Sequence, residues 1–428
     1  MAEAVAPAGN AKPIYEIEDS ASLKAQLRRA NRRNRLNAFF LTAPLLVFLL
    51  ASFIVPIGMM LFRAVDDPIV GDALPRTVAA LESWARADLP DEATYAAIVE
   101  DLRALRDGGT DGRAMIGRLA TRLNFEDGGV RSTITGTARK VERLEPPYKE
   151  ALIEEDREWG KRGIWSTIQR LGPSYTTVHF LAALDLRYNV DGAITPQPEV
   201  RQVYVSIWLR TFMISLTVTL ACVALGYPVA YLLATLPMRT SNLLMILVLL
   251  PFWTSLLVRT TSWIVVLGQN GVFLEVLAFL NLVDEVNRPR LIYNMTGTIV
   301  AMTHILLPFM ILPLYSVMRG ISPSYMRAAQ NLGATPARAF LRVYMPQTVP
   351  GLGAGCILVF ILAIGYYITP ALVGGEDGTM ISNFIAHHMQ RSLNWGLAAA
   401  LGAMLLAGVM ALYWVYDRIV GINNMKLG

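Results

Sequence analysis

The residues of this chain best suited to chemistry are few, and they sit in apolar surroundings. Arg259 falls inside the apolar run 242–267, and His304 inside the run 296–318. A guanidinium at that depth costs at least about 2.5 kcal/mol on insertion scales. It therefore needs a protein-lined or watery place, a carboxylate across an assembly, a gating position, or a route to the surface. His304 reads first as a partner in an interhelical hydrogen bond and only second as a ligand. Trp253, Trp263, Tyr366, Tyr367 and Thr369 supply aromatic faces and a hydroxyl, and Glu376 and Asp377 follow just beyond an apolar run. Aromatic faces attract cations, but each ring also has an ordinary use in packing or as an interfacial anchor.

Other chemistries are missing from the sequence. There is no Walker-type phosphate loop, HExxH or GxSxG, and no nucleophile, base or metal constellation. The chain is read as a non-enzyme that holds no metal. Cys222 and Cys356 lie within apolar runs, spaced as neither a zinc site nor a disulfide framework.

The elements that must position these residues are membrane helices. Of 428 residues, 54% are hydrophobic and 17% charged, where soluble domains carry about 25% charged, and mean hydropathy is +0.41. The apolar residues gather in runs long enough to cross a hydrocarbon core of about 30 Å at about 1.5 Å per residue. Six spans are expected, at 37–62, 204–234, 242–267, 296–318, 351–373 and 395–416. They contain no Asp or Glu, and Asp417 follows the last of them as an interface residue. Pro228, Pro251 and Pro308 fall inside spans, where a proline either frees a carbonyl for a pathway or is tolerated structurally.

Six crossings place both termini on one side. Residues 1–18 read as a structureless tail, and Lys24, Arg28, Arg29, Arg32, Arg33 and Arg35 beside Leu23, Leu27 and Leu36 read as a basic interfacial helix. By the positive-inside rule this side is cytoplasmic, and Arg239, Arg319, Arg327, Arg338, Arg342, Arg418 and Lys426 agree. The division is then a cytoplasmic tail and interfacial helix at 1–36, a first span at 37–62, an extracytoplasmic helical insertion at 63–203, a five-span core at 204–420 and a cytoplasmic tail at 421–428. The block 66–200 holds 23 acidic and 17 basic side chains, against +5 for the whole chain. It is too long for a plain loop. Tyr95, Ile98, Leu102 and Leu105, then Met115, Ile116, Leu119 and Leu123, recur at helical spacing.

Local chemistry is explicit in the cytoplasmic segment 319–350. Ser322 and Pro323 form an N-cap and first-turn proline, and Gly333 ends that helix. Thr335 and Pro336 repeat the start signal for a second helix carrying Phe340, Leu341, Val343 and Tyr344, which Pro346 is expected to stop. Such a pair is either an amphipathic connector on lipid or a knob that docks another protein.

The stretch RAAQNLGATPARAFLRVYMP resembles the cytoplasmic loop motif of ABC importer permeases: Glu-Ala-Ala, three residues, Gly, nine residues, Ile-x-Leu-Pro. Ala328, Ala329, Gly333 and Pro346 match, Val343 and Met345 are mild replacements, and Arg327 stands where the motif has Glu. The stretches PFWTSLLVRTTSW (251–263), LLPFMILPLYS (306–316) and GYYITPALVGG (365–375) are similar to spermidine/putrescine-type permeases. The resemblance covers about 204–420 and the first span; the block 66–200 lies outside it and is read as support for a dedicated binding protein.

That resemblance implies an all-α, polytopic inner-membrane permease subunit of a binding-protein-dependent importer, translocating putrescine or spermidine. It implies a coupling loop that includes Ser322, Pro323, Arg327, Ala328, Ala329, Gly333, Phe340, Val343 and Pro346, docked on a separate ATPase. The implied partners are two ATPase subunits, a second permease subunit, a periplasmic binding protein and the bilayer, with no nucleic acid. This chain itself carries no cofactor, since ATP and Mg belong to the ATPase. The candidate pathway comprises Trp253, Arg259, Trp263, Tyr366, Tyr367, Thr369, Glu376 and Asp377. Permeases for iron, sulfate or other small solutes share the loop motif and remain as alternatives. A membrane receptor would lack a cytoplasmic signalling domain here, and an ion-coupled carrier would lack intramembrane carboxylates.

Overall fold

The computed structural model describes residues 20–284 and 288–420, except the side chains of 20–30, 33, 419 and 420. The expected tails at 1–18 and 421–428 lie outside the described residues, as do the side chains of Leu23, Lys24, Leu27, Arg28, Arg29, Arg33 and Lys426. Among the described residues, six helices are long and apolar enough to cross a membrane. The first runs as Ser20–Leu49, a π turn at Leu50–Ile54 and Val55–Phe62. The wider turn falls just before Pro56, where the missing N–H breaks the regular ladder.

Residues 64–202 are mainly helical, as their periodicity predicts, with non-helical stretches at 82–91 and 183–198. One face of Glu92–Asp107 buries Tyr95, Ile98, Val99 and Leu102, and one face of Gly109–Glu126 buries Ile116, Leu119 and Leu123. Asp91 caps the first of these by accepting from the backbone N–H of Thr94 at 3.0 Å. The aromatic centre is Tyr95, Trp159 and Trp165, with Trp165 4.6 Å from Tyr95 and 5.2 Å from Trp159 between ring centroids. Their polar tips are all satisfied: Tyr95 Oη and Trp165 Nε1 donate to the carbonyl of Trp159 at 2.7 and 3.0 Å, and Trp159 Nε1 donates to Thr137 Oγ1 at 2.9 Å. A short antiparallel hairpin pairs Leu186–Tyr188 with Ile194–Pro196, which the helical pattern did not foretell.

Two polar devices fix this block. The buried Arg122 pairs with the buried Asp67 and, at 2.9 Å, with Glu126, while His179 Nε2 lies 3.7 Å from Asp67. The His179 ring rests on Gly396 of the last span, where a Cβ would stand 2.2 Å from Nε2. Asp185 accepts from the backbone N–H groups of Val203, Tyr204 and Val205 at 3.0, 3.0 and 2.8 Å. It thereby closes the N-terminus of the 32-residue helix Tyr204–Thr235.

The membrane core is three helices, Tyr204–Thr235, Met295–Gly320 and Met345–Gly365. They bury Ile214, Val218, Cys222, Met302, Leu306, Met310 and Val359 between them. Met310 is seated by two glycines: a Cβ at Gly226 would lie 3.0 Å from its Cγ, and one at Gly355 2.7 Å from its sulfur. Small residues here let the backbones approach closely. The helices continue through Pro228 and Pro308.

Three expected boundaries are corrected. The span expected at 242–267 is broken into Met238–Leu249, a 3-10 turn at Leu250–Trp253 and Leu256–Leu267. Pro251 interrupts the first helix, and Ser255 starts the next by accepting from Val258 N–H at 3.2 Å. The span expected at 351–373 ends at Gly365, and a separate short helix occupies Ile368–Val373. The freed carbonyls of Tyr366 and Tyr367 are taken by Ser382 Oγ at 2.5 Å and Asn383 Nδ2 at 2.7 Å. Pro346 does not stop its helix. A π turn at Phe340–Tyr344 carries Pro336–Ala339 into Met345–Gly365, and Gln347 Nε2 donates to the Val343 carbonyl at 2.7 Å where the ladder is widened.

Candidate functional site

The segment 319–350 forms the helix pair that its caps predict. The first helix is Ser324–Asn331, one residue later than the Ser322 cap implies, with Ser322 Oγ 3.4 Å from Ser324 N. Gly333 takes φ +90°, a left-handed turn that glycine accepts without penalty. Thr335 Oγ1 accepts from Arg338 N–H at 3.4 Å, and Pro336 opens the second helix. Arg319 Nη1 ties the base of the segment to the Ala234 carbonyl at 2.9 Å, satisfying one of the open acceptors at the end of Tyr204–Thr235.

The outward face of this pair includes Ser322, Pro323, Tyr325, Arg327, Ala328, Leu332 and Gly333, all exposed, with Leu332 at 89%. Ala329 and Val343 are half-buried and Pro346 is exposed. Phe340, expected as part of the docking face, turns inward. Its ring stacks on Tyr344 at 5.6 Å and meets Tyr231 edge-on at 5.4 Å and Tyr227 at 6.4 Å. Tyr227 and Tyr231 escaped the sequence reading, although their i,i+4 spacing, which Phe340 and Tyr344 share, was the available signal. They form an aromatic base that holds the knob to the helix Tyr204–Thr235.

A second cluster forms where Leu256–Leu267 meets Met295–Gly320 and Ile368–Val373. Trp263 Nε1 donates to His304 Nδ1 at 3.2 Å, and the rings lie 5.4 Å apart, edge to face. An imidazole that accepts at Nδ1 is neutral and carries its proton on Nε2. One turn back, the fully buried Thr260 shares a hydrogen bond of 3.2 Å with the equally buried Thr369. Arg259 lies within electrostatic reach of His304 and Tyr366. Its Nε and Nη1 are buried with no hydrogen-bond partner among the described residues. Arg259, Trp263, Tyr366 and Thr369 are thus brought to one place.

Of the other expected pathway residues, Tyr367 adjoins the cluster only as the N-cap of Ile368–Val373, and no side-chain hydrogen bond ties Trp253, Glu376 or Asp377 to it among the described residues. Trp253 stands 80% exposed on the 3-10 turn, and Tyr367 is 44% exposed. Glu376 and Asp377 are exposed, and the Glu376 carbonyl accepts from Arg210 Nη1 at 2.8 Å.

Residues 206–421 match the family described as binding-protein-dependent transport system inner membrane component. The chain belongs to that family. This inner-membrane component is similar to the spermidine/putrescine transport system permease protein PotB of Escherichia coli (strain K12). The identity is 34% over 220 residues, covering 51% of this chain and 79% of the relative. PotB of Haemophilus influenzae is 32% identical over 224 residues, covering 52% and 78%. A crystal structure of a bacterial ABC transporter that imports alginate aligns over 49% of this chain and 79% of its own, with a TM-score of 0.38 and 19% identity. The matched region begins just after the Asp185-capped helix start, so the block 64–202 is an addition to the shared permease core.

Proposed function

We propose that this permease subunit of an ABC importer translocates polyamines, putrescine or spermidine, delivered by an external binding protein. The observation that carries the cargo assignment is the 34% identity to a spermidine/putrescine permease over 79% of that protein. In this reading the knob 322–346 seats in a separate ATPase subunit that holds ATP and Mg, and both termini face the cytoplasm. A second permease subunit completes the pathway. ATP-driven closure of the ATPase pair pushes the knob and exchanges outward-facing for inward-facing states, with selectivity supplied by the binding protein.

Aromatic faces at Trp263 and Tyr366 suit a desolvated ammonium group. Arg259 does not, because its charge repels one, and its two orphaned nitrogens favour a second reading in which the cargo is an anion. One experiment separates the two. The full complex is reconstituted in vesicles and ATP-dependent uptake of labelled putrescine, spermidine and sulfate is followed. Polyamine uptake abolished by disrupting the knob supports the reading. An ATP-hydrolysing complex that ignores both polyamines and imports sulfate transfers the assignment to anions.

A further inference from the structure

The block 64–202 is acidic overall, yet its stretch 103–143 holds nine basic and five acidic side chains. That local reversal surrounds a groove of about 360 Å3 between the helices Gly109–Glu126 and Val130–Lys140, walled by Arg106, Arg113 and Arg139. Arg106 is fixed as part of the frame: its Nη1 donates to the Arg139 carbonyl at 2.6 Å and its Nε lies 3.2 Å from Glu142. Arg113 and Arg139 differ. Each is steered by its Nε, which donates one helical turn back, to Gly109 at 3.1 Å and to Thr135 at 3.1 Å. Their terminal nitrogens have no partner among the described residues. Two guanidinium forks are therefore aimed and unused.

The floor is apolar and open. Ile116 and Ala138 are buried at 8% and 5% exposure, and between the walls lies Gly117, where an added Cβ would meet nothing within 4 Å. A glycine inside a helix costs about 1 kcal/mol relative to alanine. No close approach requires this one, and its effect is to leave the groove unfilled. Three guanidiniums less the Glu142 carboxylate leave a local charge of +2. A phosphate monoester carries about −1.5 to −2 at neutral pH and offers three acceptor oxygens, which planar forks match in pairs. A carboxylate would answer only half of the charge.

We propose that this groove binds a phosphate monoester group, with Arg113 and Arg139 as its ligands and Gly117 leaving room for the attached carbon chain. The group can belong to a soluble phosphate ester or to a phosphatidic acid headgroup. The site is independent of the transport cargo.

The test titrates the purified full-length chain with glycerol 3-phosphate by calorimetry, and with acetate for comparison. Saturable binding of one glycerol 3-phosphate, at least tenfold tighter than acetate, is expected. Gly117→Phe fills the groove without touching the arginines and should abolish binding while leaving the melting temperature unchanged or higher. The pair Arg113→Ala/Arg139→Ala should weaken binding at least tenfold. Absence of saturable binding, equal binding of acetate, or wild-type binding in both variants would overturn the proposal. Repeating the titration in phosphatidylcholine nanodiscs with and without phosphatidic acid identifies the source. Competition by the lipid assigns a headgroup, and undiminished binding assigns a soluble ester.

Discussion

Trp263 donates its indole N–H to Nδ1 of His304 at 3.2 Å, joining two membrane helices through a neutral imidazole. Trp263→Phe keeps an aromatic ring but leaves that half-buried nitrogen without a donor. The expected cost is about 1 kcal/mol, read as a lower melting temperature of the detergent-solubilised chain. His304→Ala in the same background should add only its own packing loss, because the bond is already gone. Fully additive effects in the double-mutant cycle would contradict the coupling.

The knob offers a contrast between Leu332 and Phe340. Leu332 is 89% exposed, so Leu332→Asp should leave the folding stability within about 0.5 kcal/mol of wild type while reducing ATPase co-purification. Phe340→Asp places a charge in the cluster of Tyr227, Tyr231 and Tyr344 and should lower stability first. Equal loss of thermal stability in both variants would contradict this division.

Gly333 sits at φ +90°. Gly333→Ala should cost about 1–2 kcal/mol locally, tilt the two short helices against each other, and lower uptake without affecting insertion into the membrane. Normal ATP-dependent uptake by this variant would show that the turn does not set the docking geometry.

Asp185 gathers three backbone donors at the start of Tyr204–Thr235. Asp185→Ala strands them and should destabilise by about 1–3 kcal/mol. Hydrogen exchange at Val203, Tyr204 and Val205 should accelerate, while exchange around Met310 stays slow. Unchanged protection at the three amides would count against the cap.

Acid should act on Asp67. Burial pushes its carboxyl up, but neighbouring His179 and the Arg122 guanidinium outweigh that and hold it below the ordinary value of 3.8. A carboxyl depressed in the folded state contributes stability that is complete above its unfolded value and lost as pH falls through the folded one. Urea unfolding followed by tryptophan fluorescence should therefore weaken below about pH 4. Asp67→Asn should be less stable at pH 6 and show a shallower acid limb; an unchanged limb would remove Asp67 as its source.

Much of the fold was legible because it is written locally. Apolar runs marked the spans, the spacing of Tyr95, Ile98 and Leu102 marked a buried helix face, and Thr335, Pro336 and Gly333 marked the knob. Part of what sequence reasoning missed depends on residues distant in the chain, and part on side-chain bonds to the backbone that leave no mark on the apolar period. The breaks at 254–255 and 366–367 stand because Ser255, Ser382 and Asn383 satisfy the backbone there, and no period in the apolar runs records such bonds. Pro346 looked like a stop, since a proline forfeits its N–H, yet a π turn and Gln347 accommodate the loss. Phe340 looked outward until the tyrosines of another helix surrounded it. The interhelical bond of His304 was anticipated, but its donor was not.

The π turn has a mechanical consequence. Because Pro336–Gly365 is one continuous rod of 30 residues, about 45 Å at 1.5 Å per residue, the knob is the short arm of a lever whose far end is the break at Tyr366 and Tyr367. A tilt of only 5° at the knob sweeps that far end by about 4 Å over such a length. Under the proposed coupling that displacement arrives beside Thr369 and Arg259, so a force applied to the knob at one membrane face is delivered towards the opposite one.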